Sequence, residues 1–484
     1  MSRRFLILCI FTLGVLSVYP QNFKQDFDAF RQQVLKGYTD FRDSVNHEYA
    51  EFLRKAWAPF CANPVESAPK REEMPPVVCV TPQPVKSVPI PIEEEILKVP
   101  QIPLQPQPVS PVREVPMEKE TWMEFSFYGT PMKVRFADTQ RFGLRECTER
   151  RIADTWESLS GKEYNNTIAD CLSLRKRYQL GDWAYLQMLH KMSVACLGTG
   201  NEATLMMAYI FCQSGYKMRL GMSGGQLYML FASSHIIYDM AGFSVNGEHF
   251  YAFNGGKCLQ MQICNAAFPK ERTMSLWMYQ AQLLANNRSE ARILVSQAYP
   301  EIALTVDVNL NLIEFLNDYP TSIVNGNPMT RWAMYANMPL EEGVRKSLLP
   351  ALQKKLDGLS KEEATERLLN WVQTAFIYEY DDKVWGHDRA FFAEETLYYP
   401  YCDCEDRSIL FSRLVRDMLG LKVILVYYPG HLATAVCFPD EVKGDYIVLD
   451  GQRYVVCDPT YINASIGMTM PEMDNRKAKV ILLE

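Results

Sequence analysis

Apolar residues near the N-terminus recur at helical steps. Phe23, Phe27, Phe30, Val34, Tyr38, Phe41, Val45, Tyr49 and Phe52 follow one another by three or four positions. FRQQV at 30–34 and FRDSV at 41–45 show the repeat directly. A period of this length keeps an apolar stripe on one side of a nearly straight helix, so residues 22–61 are expected to form one amphipathic helix. Such a stripe serves either packing on its own chain or self-association with a second copy. Ahead of it, Arg3 and Arg4 precede the apolar run FLILCIFTLGVLSVY. That is the pattern of a signal peptide over 1–21, too short for a membrane span, and Cys9 lacks the setting of a lipid anchor. The expected chain is exported, secreted or periplasmic, with no integral membrane span after cleavage.

Residues 62–118 carry half of the 28 prolines. Proline fixes φ and removes a donor, so an extended, semi-rigid linker is expected, a spacer for the catalytic body. Apolar patterning resumes over 119–270 as alternating helical and strand-like runs. Residues 271–345 read as strand-like, in SEARILVSQ, ALTVDVNLNLIEFL and RWAMYAN, and are expected to form a β-rich connector. Over 346–484 two helices come first. The second, SKEEATERLLNWVQTAF, has Ser360 and Glu363 in capping-box spacing. DDKVWGHDRAFFAEETLYYP follows as a loop, and then comes YYPYCDCED.

That last stretch carries the candidate chemistry. Asp403 and Asp406 have N-cap and third-position spacing, SILFSRLVRDML is apolar at helical steps, and Gly420 stops it. Cys404 therefore falls in the first turn of a helix. There the free N–H groups and the helix dipole favour a thiolate. His431 follows Pro429-Gly430 and opens the strand-like LATAVCF. Asp458 ends the strand-like RYVVCDPT, after the hairpin signal Asp450-Gly451. Glu405 and Asp406 suit the helix N-terminus, with Arg407 as a pairing partner for one of them.

Composition narrows the classes. The formal net charge is −7, which suggests no nucleic-acid partner. Of the 13 cysteines, most of the 12 beyond the signal segment sit in apolar runs, as in VACLG and YIFCQ, and read as buried and reduced rather than as a bridge framework; Cys258 and Cys264 are spaced so that they could pair. There is no CxxC and no histidine cluster, so no metal or cofactor is expected.

In DCEDRSILFSRLVRDMLGL, GHLATAV and DPTYI the chain resembles the transglutaminase-like superfamily, of a bacterial secreted type, over about 360–484. The resemblance implies an α+β fold with a papain-type core and a triad of Cys404, His431 and Asp458. It also implies a helix packed beside the nucleophile helix. Cys402, next to the motif, departs from the pattern. An acyl-enzyme on Cys404 would serve a cysteine peptidase, an amidase or an acyltransferase, with hydrolysis preferred and a peptide or protein as substrate. The first oxyanion donor is the Cys404 N–H; Trp371, Trp385 and Tyr399 are positional candidates for the second. The alternative is a non-catalytic module of the same fold that binds peptide or glycan.

The region 119–270 echoes this part. GYKMRLGMSGGQLYMLFA at 215–232 aligns without gaps on GLKVILVYYPGHLATAVC at 420–437. The positions matching the triad are then Asn201, Gln226 and Asn254, none of which can act as nucleophile, base or ionised orienter. A degenerate copy of the same unit is the expectation, with Trp183 and Met206-Met207 as core.

Overall fold

The computed structural model describes residues 40–67, 119–161, 163–256 and 259–484, residues 33 and 36, and short stretches between 75 and 115. The expected signal peptide, most of the segment 22–39 and Cys258 lie outside the described residues. The protein mixes α and β, and no described helix is long and apolar enough to cross a membrane.

Of the N-terminal helix, residues 40–53 are described, and it ends well before position 61. Ala58–Cys61 is a strand instead. Val45, Tyr49, Ala50 and Leu53 are buried on the chain's own body, while Phe41 and Phe52 are exposed. Tyr49 packs against Trp156 and Phe268, and Asn46 accepts from Trp156 Nε1 at 3.0 Å. The stripe thus divides: its inner half is core.

Two six-stranded sheets form the frame. The first runs, edge to edge, Ala58–Cys61, Gln260–Ile263, Met218–Ser223, Gln226–Ala232, Glu248–Ala252, Gly242–Val245. The second runs Ile96–Leu97, Lys479–Leu482, Lys422–Tyr428, His431–Cys437, Gln452–Cys457, Tyr446–Leu449. Read this way, each strand has a counterpart at the same place and in the same chain order. One pairing differs: Ala58–Cys61 is antiparallel to its neighbour, whereas Ile96–Leu97 is parallel to its own. Each central hairpin is preceded by a buried helix, Asn201–Gln213 in the first unit and Cys404–Leu419 in the second.

The Pro-rich segment does not act as a free spacer where it is described. Ile96–Leu97 adds an edge strand to the second sheet, and Ile90 donates its N–H to Tyr446 O at 2.7 Å and is buried. Extended backbone with few donors suits a sheet edge, where half the N–H groups need no partner.

The connector is not purely β. Arg292–Val295 and Ala303–Val306 form a two-stranded ribbon, but Leu310–Asn317 and Thr330–Asn337 are helices. The alternation in VDVNLNLI imitates a strand. Asn309 nonetheless caps a helix by accepting from Asn311 N–H, and Leu312, Ile313 and Leu316 share a buried face. The stretch expected as a plain loop, 381–400, contains the short helices Asp381–Val384 and Ala393–Tyr398. Trp183, Met206 and Met207 are core, as expected. Cys264 is not in a disulfide.

Candidate functional site

Tyr401–Cys402 pairs with Ile377–Tyr378, and the chain then enters the helix Cys404–Leu419. Cys404 is its first residue and is fully buried. Gly420, at φ +63°, closes the helix in the left-handed conformation that glycine adopts without strain. Asp406 fixes the entrance. Its carboxylate accepts the N–H of Asp403 at 3.1 Å and that of Phe391 at 2.8 Å. Burial, with Asp403, Asp381 and Glu405 close by, pushes the Asp406 carboxyl well above the usual carboxylate range.

The helix packs on the central strand His431–Cys437. Ser408, one turn beyond Cys404, donates to Leu432 O at 2.8 Å. His431 opens that strand, pairs with Tyr428 across the Pro429-Gly430 turn, and stacks on its ring with centroids 6.5 Å apart. Nε2 of His431 lies 2.8 Å from Asp458 Oδ2, and both side chains are buried. Asp458 Oδ1 accepts the N–H groups of Thr460 and Tyr461 at 2.9 and 3.3 Å. Nδ1 of His431 is buried and has no hydrogen-bond partner among the described residues. Leaving a buried polar atom unsatisfied costs about 1–3 kcal/mol, so this nitrogen stands out as a proton acceptor without a donor.

Cys404 donates its S–H to Glu405 Oε2 at 3.6 Å. The structure therefore brings His431 and Asp458 into contact. It places Cys404 at the start of a helix packed on the strand that His431 begins, with its thiol turned to Glu405. Oxygens of Asp381, Asp388 and Glu405 lie within 4.8 Å of one another, a donor set suited to a hard cation. Arg331 supplies positive charge there, 2.6 Å from Asp388 and 4.0 Å from Glu405.

Several expectations change. Arg407 pairs with neither Glu405 nor Asp406. It reaches Gln373 O at 3.0 Å, Phe376 O at 2.9 Å and Cys402 Sγ at 3.4 Å. Burial pushes the Cys402 thiol up while Arg407 pulls it down. Trp371 donates to Leu294 O at 3.2 Å, and Tyr399 O–H donates to Asn317 Oδ1 at 2.8 Å, so both are committed elsewhere. Trp385 packs on Phe391 and Tyr399 beneath the Arg389 guanidinium. Arg331, Asp388 and Gln373 carried no local signal; their partners are distant in sequence.

The first unit has the same junction with other side chains. Asn201 opens its helix, accepts the Leu227 N–H at 2.8 Å and donates to Gly225 O at 3.0 Å. Gln226, which begins the strand, is exposed, and Asn254 has φ +52° after Glu248–Ala252. Comparisons with protein-family models, with curated proteins and with solved structures return no match.

Proposed function

We propose that the chain is a thiol-dependent amide hydrolase of transglutaminase-like type, exported, acting through an acyl-enzyme on Cys404. The observation that carries the reading is the buried His431–Asp458 pair with Nδ1 of His431 left open beside the helix that Cys404 begins. Asp458 occupies Nε2, fixes the tautomer and stabilises the imidazolium. Nδ1 then takes the Cys404 proton once the thiol turns from Glu405. The sulfur forms a bond to the acyl carbon, and the C–N bond breaks as Nδ1 returns the proton to the departing amine. Water attacks the thioester, gives its proton to the same nitrogen, and releases the acid and the free thiol. The Cys404 N–H, at the helix N-terminus, supports the oxyanion.

Because Cys404 and His431 are both fully buried, substrate entry requires an opening. We assign that opening to the segment 381–392, which meets the helix entrance through Phe391 N–H to Asp406 and is tied to the helix Thr330–Asn337 through Asp388 and Arg331. The matching strand order of the two sheets supports a duplicated unit whose first copy lost its reactive groups.

The test is hydrolysis of peptide amides by the wild type and by Cys404→Ala. Activity confined to the wild type supports the proposal, and equal activity removes it. A second reading, a non-catalytic binding module, is favoured by the thiol's hydrogen bond to Glu405, since a donor thiol is not a nucleophile. Binding of a peptide library by both proteins, with no product from either, selects that reading.

A further inference from the structure

We infer that Gln373 is a positioning residue, which sets the orientation of the Asp458 carboxylate and couples it to the nucleophile helix. The inference rests on the triad reading above and deepens it. Gln373 lies near the end of the helix Lys361–Thr374 and is 1 % exposed. Its Nε2 faces three carbonyl oxygens of one loop: Asp458 O at 3.0 Å, Tyr461 O at 2.8 Å and Ala464 O at 3.1 Å. Its Oε1 accepts Asn463 N–H at 3.1 Å. One amide thus gathers the 458–464 loop, which folds back through Asn463 at φ +61°.

The loop matters because Asp458 depends on it. The two N–H groups on Asp458 Oδ1, those of Thr460 and Tyr461, belong to this loop. A shift of the loop shifts the carboxylate, and with it the angle of the His431 ring. The main chain of Gln373 faces the other way: its carbonyl accepts from Arg407 Nη1 at 3.0 Å, and Arg407 sits in the first turn of the nucleophile helix. One residue therefore ties the helix that carries the sulfur to the loop that carries the carboxylate. Strand pairing does not provide this link, because the ladder of Gln452–Cys457 ends at Cys457, one residue short of Asp458.

The test reads the pH profile of Cys404 alkylation by iodoacetamide, with the modified residue identified by peptide mapping. A thiolate paired with imidazolium gives a step governed by His431. Gln373→Met keeps the length and the packing but removes both the donor and the acceptor for Asn463 N–H. We expect the neutral-pH plateau attributable to the pair to fall by roughly 10–100-fold, the effect of misplacing a catalytic group by about an ångström. Asn463→Gly, which alters the same loop while leaving the Gln373 contacts, all of them to main-chain atoms, should keep the wild-type profile. An unchanged profile in Gln373→Met overturns the inference. If Gln373→Met does not fold, Gln373→Glu retains the acceptor for Asn463 and replaces the donor, and the same shift is expected. Loss of the triad reading itself is a different result: wild type and His431→Ala would then share one profile, whatever Gln373 does.

Discussion

The strands Gln226–Ala232 and His431–Cys437 occupy the same place in sheets of the same order, yet their junctions with the preceding helix are built differently. In the first unit, Asn201 satisfies the hairpin on both sides of Gln226, so the helix end is sealed by its own side chain. In the second, the hairpin is tied differently. Cys404 takes the place of Asn201 and turns its thiol to the neighbouring Glu405, while the imidazole of His431 is held by Asp458, just past the next strand, with its Nδ1 lacking a hydrogen-bond partner among the described residues. The same frame can therefore end in two different polar contacts. The difference lies in which side chain meets the hairpin: an amide that bonds its backbone, or a thiol that bonds within its own helix.

The largest expected effect sharpens that contrast. Replacement of Cys404 by Ala, or of Asp458 by Asn, should lower amide hydrolysis by about 10³-fold or more, while Asn201→Ala leaves the rate unchanged. Steady-state assays of purified variants check this. Comparable losses in both units would break the comparison.

The two units should also respond to pH with opposite sign. Burial raises the Glu394 carboxyl in the second unit from 4.5 to about 7, although the Glu341 N–H on it acts the other way. The folded state thus binds the proton more tightly than the unfolded chain. This contribution is complete below pH 4.5 and is lost as pH rises through about 7, amounting to about 3 kcal/mol. In the first unit, burial lowers His235 from 6.5 to about 4, where its ring lies between Ser322 and Ser275. Its contribution is present above pH 6.5 and is lost as pH falls through about 4, by about 3 kcal/mol again. Denaturant unfolding from pH 4 to 8 should show Glu394→Gln gaining on the wild type only at the alkaline end, and His235→Gln only at the acid end. Flat differences in either variant would contradict the burial argument.

A smaller effect concerns access. Asp388→Asn weakens the hold of Arg331 on the segment 381–392. It should raise the iodoacetamide reactivity of Cys404 about tenfold, the factor given by roughly 1.4 kcal/mol of lost closure. An unchanged rate would mean that another segment controls entry. The smallest effect is that of Asn201→Ala on stability. Removing its two hydrogen bonds to the hairpin should cost about 1 kcal/mol in chemical denaturation.

Much of the site could be read along the chain because its signals are local. Cys404 opens a helix that Gly420 ends, and His431 and Asp458 fall at strand ends beside turn residues. The Ser360–Glu363 capping box is formed. Misreadings arose where a local pattern fits two structures. NLNLIEFL alternates like a strand but is held as a helix by the Asn309 cap and one buried face. Charge proximity suggested an acidic neighbour for Arg407, yet the guanidinium is buried and turns to the carbonyls of Gln373 and Phe376 and to Cys402.

Sequence alone determined where the Cys404 helix begins and ends and that His431 and Asp458 stand at strand ends, because caps, turns and periodicity act over a few residues. Tertiary structure decided which polar atoms are satisfied. Placing Arg331 on Asp388, Gln373 on the Asp458 loop and the Cys404 thiol on Glu405 required burial in one crowded space. Hydrogen-bond choice there depends on which groups water can no longer reach, and no local pattern encodes that.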